Sequence, residues 1–120
     1  MPDNVLVTGG SGFTGKRLSL LKPEWNYISS KDYDLTNSES CRKMYEDIKP
    51  DAVIHLAARV GGIKDNATRQ ADFYYQNTII NTNVLHEAYK SGVKRVLSSL
   101  STCAFPDVVD SYPFTEEQMF

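Results

Sequence analysis

An α/β fold built on a doubly wound parallel sheet of about four strands is what this sequence predicts, on three observations. Apolar, β-branched-rich runs recur at residues 5–7, 25–28, 51–58 and 93–100. Longer stretches with helical three- and four-residue spacing separate them. The first run leads straight into glycines at Gly9, Gly12 and Gly15. Strand–helix alternation of this kind gives a parallel sheet with helices on both faces, a Rossmann-like arrangement. Right-handed crossovers then predict the strand order 3-2-1-4, so that the C-terminal ends of strands 1 and 4 face one crevice.

The organising stretch is residues 5–15, V-L-V-T-G-G-S-G-F-T-G. Lys16, Arg17, Leu18, Leu20 and Leu21 continue it as a helix. Strand, glycine turn and helix form the context of a dinucleotide-binding fingerprint. One glycine lets the chain reverse, one lets the backbone approach a diphosphate, and one lets the helix pack on the strand. The helix start offers unpaired N–H groups and a positive dipole end to the phosphates. Gly9, Gly10, Ser11, Gly12, Phe13, Thr14 and Gly15 are therefore candidate cofactor-binding residues. The spacing G-x-x-G-x-x-G resembles that of the extended short-chain dehydrogenase/reductase family.

The second run, W-N-Y-I at 25–28, ends in Ser29-Ser30-Lys31-Asp32. A dinucleotide fold reads the adenosine ribose at this strand end. An acid there would accept from the 2′-hydroxyl of NAD. Two hydroxyls and a lysine suit a 2′-phosphate instead, so Ser30 and Lys31 favour NADP, with Asp32 as the contrary sign. The resemblance makes Asp34 and Leu35 candidate adenine contacts. Thr36 or Asn37 caps a helix running to about Lys49, with Cys41, Met44, Tyr45 and Ile48 on its apolar side. Cys41 reads as a packing residue, and Pro50 ends the helix.

In the third strand, His55 reads as structural. Ala57 and Ala58 at its end leave room for a cofactor to lie across it, and residues 60–62 read as a flexible loop. A long polar helix is expected over about 66–91, with Ile80, Val84 and Ala88 recurring every four residues. Asn77, Asn81 and Asn83 are poor helix formers. They imply hydrogen-bonding work inside the protein or along a cofactor, or else a solvated face. Phe73, Tyr74 and Tyr75 offer core packing or a subunit contact. The fourth strand, 93–100, runs into Ser101, Thr102 and Cys103.

Composition narrows the function classes. Hydrophobic residues make up 41% and charged residues 23% of 120 residues, as in an ordinary soluble domain. A net charge of −2 gives nucleic acid or an anionic membrane no electrostatic footing. No run spans a bilayer, and Asp3 and Asn4 interrupt any signal-peptide core. Two cysteines, Cys41 and Cys103, are too few for a disulfide framework, which points to a reducing cytoplasm. No metal site is expected.

H-L-A-A-R-V-G-G-I at 55–63 and L-S-T-C-A-F-P at 100–106 fall in register with the glycine turn and with S-S-K-D-Y-D-L-T at 29–36. Together they closely resemble the nucleotide-sugar epimerase/reductases of the extended short-chain family. The resemblance covers essentially all of residues 1–120, read as an NADP-binding Rossmann domain, and matches only the N-terminal part of that family's chain. It implies an NADP-dependent 3,5-epimerase and 4-reductase acting on a GDP-linked keto sugar. Ser99, Leu100 and Thr102 would line the nicotinamide side. Ser101 would be the catalytic serine, bonded to the 4-keto oxygen as charge develops there. Cys103 would be an acid/base group of epimerisation, which needs a thiol pKa drawn toward neutrality. Read without the resemblance, Ser101 and Cys103 are a small, partly buried strand end.

One departure is severe. The family's reductase needs a Tyr-x-x-x-Lys pair after the serine, and none follows Ser101: the next tyrosine is Tyr112, with Glu116 four residues on. The second epimerisation group, a histidine further along, is not present after His86. The sugar-nucleotide-binding C-terminal domain is likewise not among these residues. Two other readings stay open: a dinucleotide-binding fragment without turnover, and a different NAD(P)-dependent nucleotide-sugar enzyme. With no fifth strand in 107–120, the fourth strand's edge is expected to pair with a second copy, giving a homo-oligomer, or to be covered by the tail 112–120.

Overall fold

The computed structural model describes residues 2–101 and 104–119. Strands β1 (Val5–Thr8), β2 (Asn26–Ile28), β3 (Ala52–His55) and β4 (Arg95–Ser98) form one parallel sheet. Helices α1 (Phe13–Leu21), α2 (Ser38–Ile48), α3 (Ile63–Thr68) and α4 (Gln70–Lys90) connect them, and a 3₁₀ turn, Glu116–Met119, lies in the tail. The fold class and the number of strands are those the sequence predicts.

The strand order is not. The sheet runs β2-β1-β3-β4, not 3-2-1-4. β3 pairs directly with β1, from Val5 opposite Ala52 to Thr8 opposite His55. The cause lies just before the strand. Lys49 caps α2 in the left-handed region at φ 50, which turns the chain back across the sheet. Asn4 then clasps the returning chain. Its amide donates to the carbonyls of Ile48 (2.6 Å) and Lys49 (3.0 Å), and its own carbonyl accepts from Asp51 N at 2.7 Å. The winding direction therefore reverses between β1 and β3, and the crevice expected between strands 1 and 4 opens there instead.

The two sheet faces are covered unequally. Leu6 and Val53 point to the face under α2 and α4, where they meet Cys41, Met44, Tyr45, Val84 and Ala88. These are all at most 1% exposed, and burying each large apolar side chain contributes roughly 1.5–3 kcal/mol. Val5, Val7 and Ala52 point to the other face, packed by Leu18 of α1 with Trp25 and Tyr27. β4 is exposed along its whole length. The expected helix over 66–91 is two helices, because Arg69 leaves helical geometry at φ −122, ψ 34. The Thr68 hydroxyl donates back to the Lys64 carbonyl at 2.9 Å, a bond that competes with helix continuation.

Candidate functional site

The strands stop on one line. Thr8 is in register with Ile28 and with His55, and His55 with Ser98; each is its strand's last residue. The next residues, Gly9, Ser29, Leu56 and Ser99, all line a cleft of about 540 Å³ above the sheet. Ser11, Gly12, Phe13, Thr14 and Gly15 form one wall, Ser30, Tyr33, Asp34, Leu35 and Thr36 a second, and residues 56–60 with Gln76 and Ile80 of α4 a third.

The first wall is a turn that only glycine fits. Gly9 has φ +70, and a Cβ there would sit 2.8 Å from Ala57 N. A Cβ on Gly15 would sit 2.5 Å from the Gly9 carbonyl oxygen, so α1 closes directly onto the turn. Gly12 caps α1 without any side-chain bond, which leaves the first N–H groups of the helix directed at the cleft. Gly10 does not line the cleft: its N–H bonds Ile28 O at 2.8 Å, and it packs on Tyr27.

In the second wall the acids are already engaged. The Asp32 carboxylate accepts from Ser29 N (2.8 Å) and Ser29 Oγ (3.2 Å) and turns away from the cleft. Asp34 accepts from Thr36 N (3.0 Å) and Thr36 Oγ1 (2.6 Å). Leu35 is buried, and its carbonyl accepts from the Asn83 amide at 2.9 Å. Tyr33 donates to Asp47 at 2.8 Å; that bond, with burial and the nearby acids, raises its pKa. Cys41 lies behind this wall. Burial, with Glu87 and Asp34, pushes its thiol up to about 12, as a packing residue requires.

The third wall hangs from α4. The Asn77 side chain accepts from Arg59 N (2.6 Å) and donates to Arg59 O (2.9 Å). Asn81 Oδ1 meets His55 Nε2 at 2.8 Å, and His55 Nδ1 meets Thr8 Oγ1 at 2.7 Å. Thr8 Oγ1 also accepts from Leu56 N and Ala57 N, each at 3.2 Å. The helix asparagines thus do their hydrogen bonding within the protein. Burial lowers the pKa of His55, and a ring bonded on both sides is structural, as the sequence indicates. Arg59 supplies the only cationic side chain among the described residues that line the cleft. Among the described residues no group of three His, Cys, Asp or Glu side chains could hold a metal ion.

The profile of the NAD dependent epimerase/dehydratase family matches residues 5–119. The chain belongs to that family. Over 119 residues it is 46% identical to a probable GDP-L-fucose synthase of Drosophila melanogaster and 44% identical to the GDP-L-fucose synthase of Dictyostelium discoideum. Both alignments cover 93% of this chain but 37% of the relative, so the chain spans little more than a third of their length. The crystal structure of a GDP-L-fucose synthetase from Naegleria fowleri bound to NADP superposes with a TM-score of 0.85 at 41% identity, over 98% of this chain and 36% of that one.

As a member of the epimerase/dehydratase family, the chain brings most of its predicted site residues to one cleft: Gly9, Ser11, Gly12, Phe13, Thr14, Gly15, Ser30, Asp34, Leu35, Ala57, Ala58 and Ser99. Lys31, Leu100 and Ser101 are exposed and outside its lining. Thr102 and Cys103 lie outside the described residues. Sequence reasoning missed Arg59, Gln76 and Ile80. For Gln76 and Ile80 the four-residue helical spacing was a usable signal, and Arg59 stands inside the motif that carries the resemblance. Among the described residues no helix is long and apolar enough to cross a membrane.

Proposed function

We propose that these residues are the NADP-binding Rossmann portion of a 3,5-epimerase and 4-reductase that makes GDP-L-fucose from GDP-4-keto-6-deoxy-D-mannose. The observation that carries the reading is the cleft at the β1/β3 reversal, where an uncapped helix start, a glycine turn and Arg59 converge. This is what a diphosphate requires: amide donors, close backbone approach and a cation. Residues 9–15 and Arg59 would hold the diphosphate, Ser29, Ser30 and the neighbouring Lys31 the 2′-phosphate, and Tyr33, Asp34 and Leu35 the adenine end. Asp32 is tied to Ser29 and so is not presented to a ribose 2′-hydroxyl, which favours NADP over NAD. The 4-reductase step would draw its hydride from bound NADPH. Ser99 stands at the cleft end from which Leu100, Ser101, Thr102 and Cys103 continue, with Ser101 the group for the 4-keto oxygen and Cys103 for proton transfer beside it.

Support for the substrate class comes from the similarity to GDP-L-fucose synthases. No Tyr-x-x-x-Lys follows Ser101 in these residues, so the role proposed for them is coenzyme binding. The biosynthetic reading carries a cytoplasmic location with it. We also assign self-association to the open edge of β4, whose residues are all exposed. Sedimentation showing a monomer only would remove that assignment. For the cofactor, calorimetric titration with NADP and NAD is expected to give at least about tenfold tighter binding of NADP, the equivalent of one charge-assisted contact. Equal affinities would overturn the NADP choice, and no binding of either would overturn the site.

A further inference from the structure

The third wall of the cleft is held by side chains that line none of it. Thr8 is 0% and His55 2% exposed. Thr8 Oγ1 accepts from two backbone N–H groups, Leu56 and Ala57, so its own proton goes to His55 Nδ1. Nδ1 is then the unprotonated nitrogen, and Nε2–H donates to Asn81 Oδ1. The His55 carbonyl accepts from Ser99 N and Ser99 Oγ, both at 3.2 Å. One residue therefore ties together the cleft end of β1, the middle of α4 and the chain leaving β4. Four residues along α4, one turn away, Asn77 brackets the Arg59 backbone through both atoms of its amide. Residues 55, 56, 57 and 59 are all fixed, and Gly9 rests against the Leu56–Ala57 peptide.

We propose that Asn77 and Asn81 of α4, with His55 and Thr8, are positioning residues that hold residues 56–59 at the height and angle the coenzyme meets. This rests on the cleft being the coenzyme site, as proposed above. Neither asparagine is needed for the helix itself, since alanine is the better helix former by several tenths of a kcal/mol. A purely structural role predicts that Asn81→Ala, which leaves the buried His55 Nε2–H without its acceptor, lowers stability and leaves the NADPH affinity of the folded chain unchanged.

The test uses the whole chain and two pairs of variants. Asn81→Ala is expected to keep the fold, to weaken NADPH binding about tenfold, as for the loss of a bond to a buried group, and to shift the His55 Nε2 signal in ¹⁵N NMR while Thr8 keeps Nδ1 unprotonated. Asn81→Asp, which still accepts from Nε2–H, is expected to restore affinity and to bring back a hydrogen-bonded Nε2 signal. Thr8→Val is expected to speed amide exchange at Ala57 with loss of affinity, Leu56 N keeping its bond to the Thr8 carbonyl at 3.3 Å, and Thr8→Ser to recover both. Parent-like NADPH affinity and parent-like exchange in Asn81→Ala and Thr8→Val would overturn the proposal. If the parent itself binds no NADPH, the coenzyme reading fails. The Nε2 signal and the exchange rates then still decide whether the network holds the wall.

Discussion

β1 and β4 are similar strands with opposite fates. Val5-Leu6-Val7-Thr8 and Arg95-Val96-Leu97-Ser98 are both four residues long, and both flank β3 in parallel register. No β1 residue is more than 2% exposed, whereas Val96 is 41% and Leu97 65% exposed. β1 has a strand on each side and helices over both faces. β4 has β3 on one side and, among the described residues, nothing on the other. What a strand buries is set by its neighbours more than by its own letters. Among the described residues the tail does not supply the missing cover: Phe105 stacks on Phe114 at 4.5 Å and Tyr112 tilts against Phe114 at 5.2 Å, a small cluster of its own.

The contrast can be broken most directly by shaving matched leucines. Leu6→Ala is expected to cost about 3 kcal/mol, because it opens a cavity under α2 and α4. Leu97→Ala is expected to cost less than about 0.5 kcal/mol, as at an exposed site. Urea unfolding of both variants checks this, and equal losses would mean β4 is covered in solution.

Acid sharpens the contrast at the covered end. The pKa of His55 is lowered in the fold from 6.5, chiefly by burial. Below about pH 6.5 the unfolded chain takes up a proton that the native ring refuses. Stability from this site is thus whole above that pH and falls as pH drops toward the lowered native value. A pH series of thermal unfolding is expected to show the loss, and His55→Gln to flatten it. The smallest effect on stability is expected from Leu97→Lys, which places a charge on the open strand. It should leave the melting temperature nearly unchanged and abolish any dimer seen by sedimentation.

Much of this was legible in the sequence because it is local. The glycine turn, the Asn37 cap that accepts from Ser40 N at 3.1 Å, and the apolar side of α2 all follow from spacings of a few residues. The strand order was not legible, since it depends on Asn4 gripping a chain that returns 44–47 residues later. The asparagines of α4 announced hydrogen bonding, but their partners lie 18, 26 and 48 residues away. Asp32 carries an ambiguity of its own. A carboxylate three residues after Ser29 can turn back on that residue's N–H or face a ligand, and only the folded loop chooses.

The shared finishing line of the strands sets what the chain tolerates in length. Deleting one residue inside any strand would drop one step of that rim by about 3.3 Å and swap its inward and outward side chains. Insertions and deletions are therefore excluded from the strands and their upper loops. They are admissible in the lower connections around 22–25 and 91–94, on the far side of the sheet from the cleft, but not at 48–51, where Asn4 grips the returning chain.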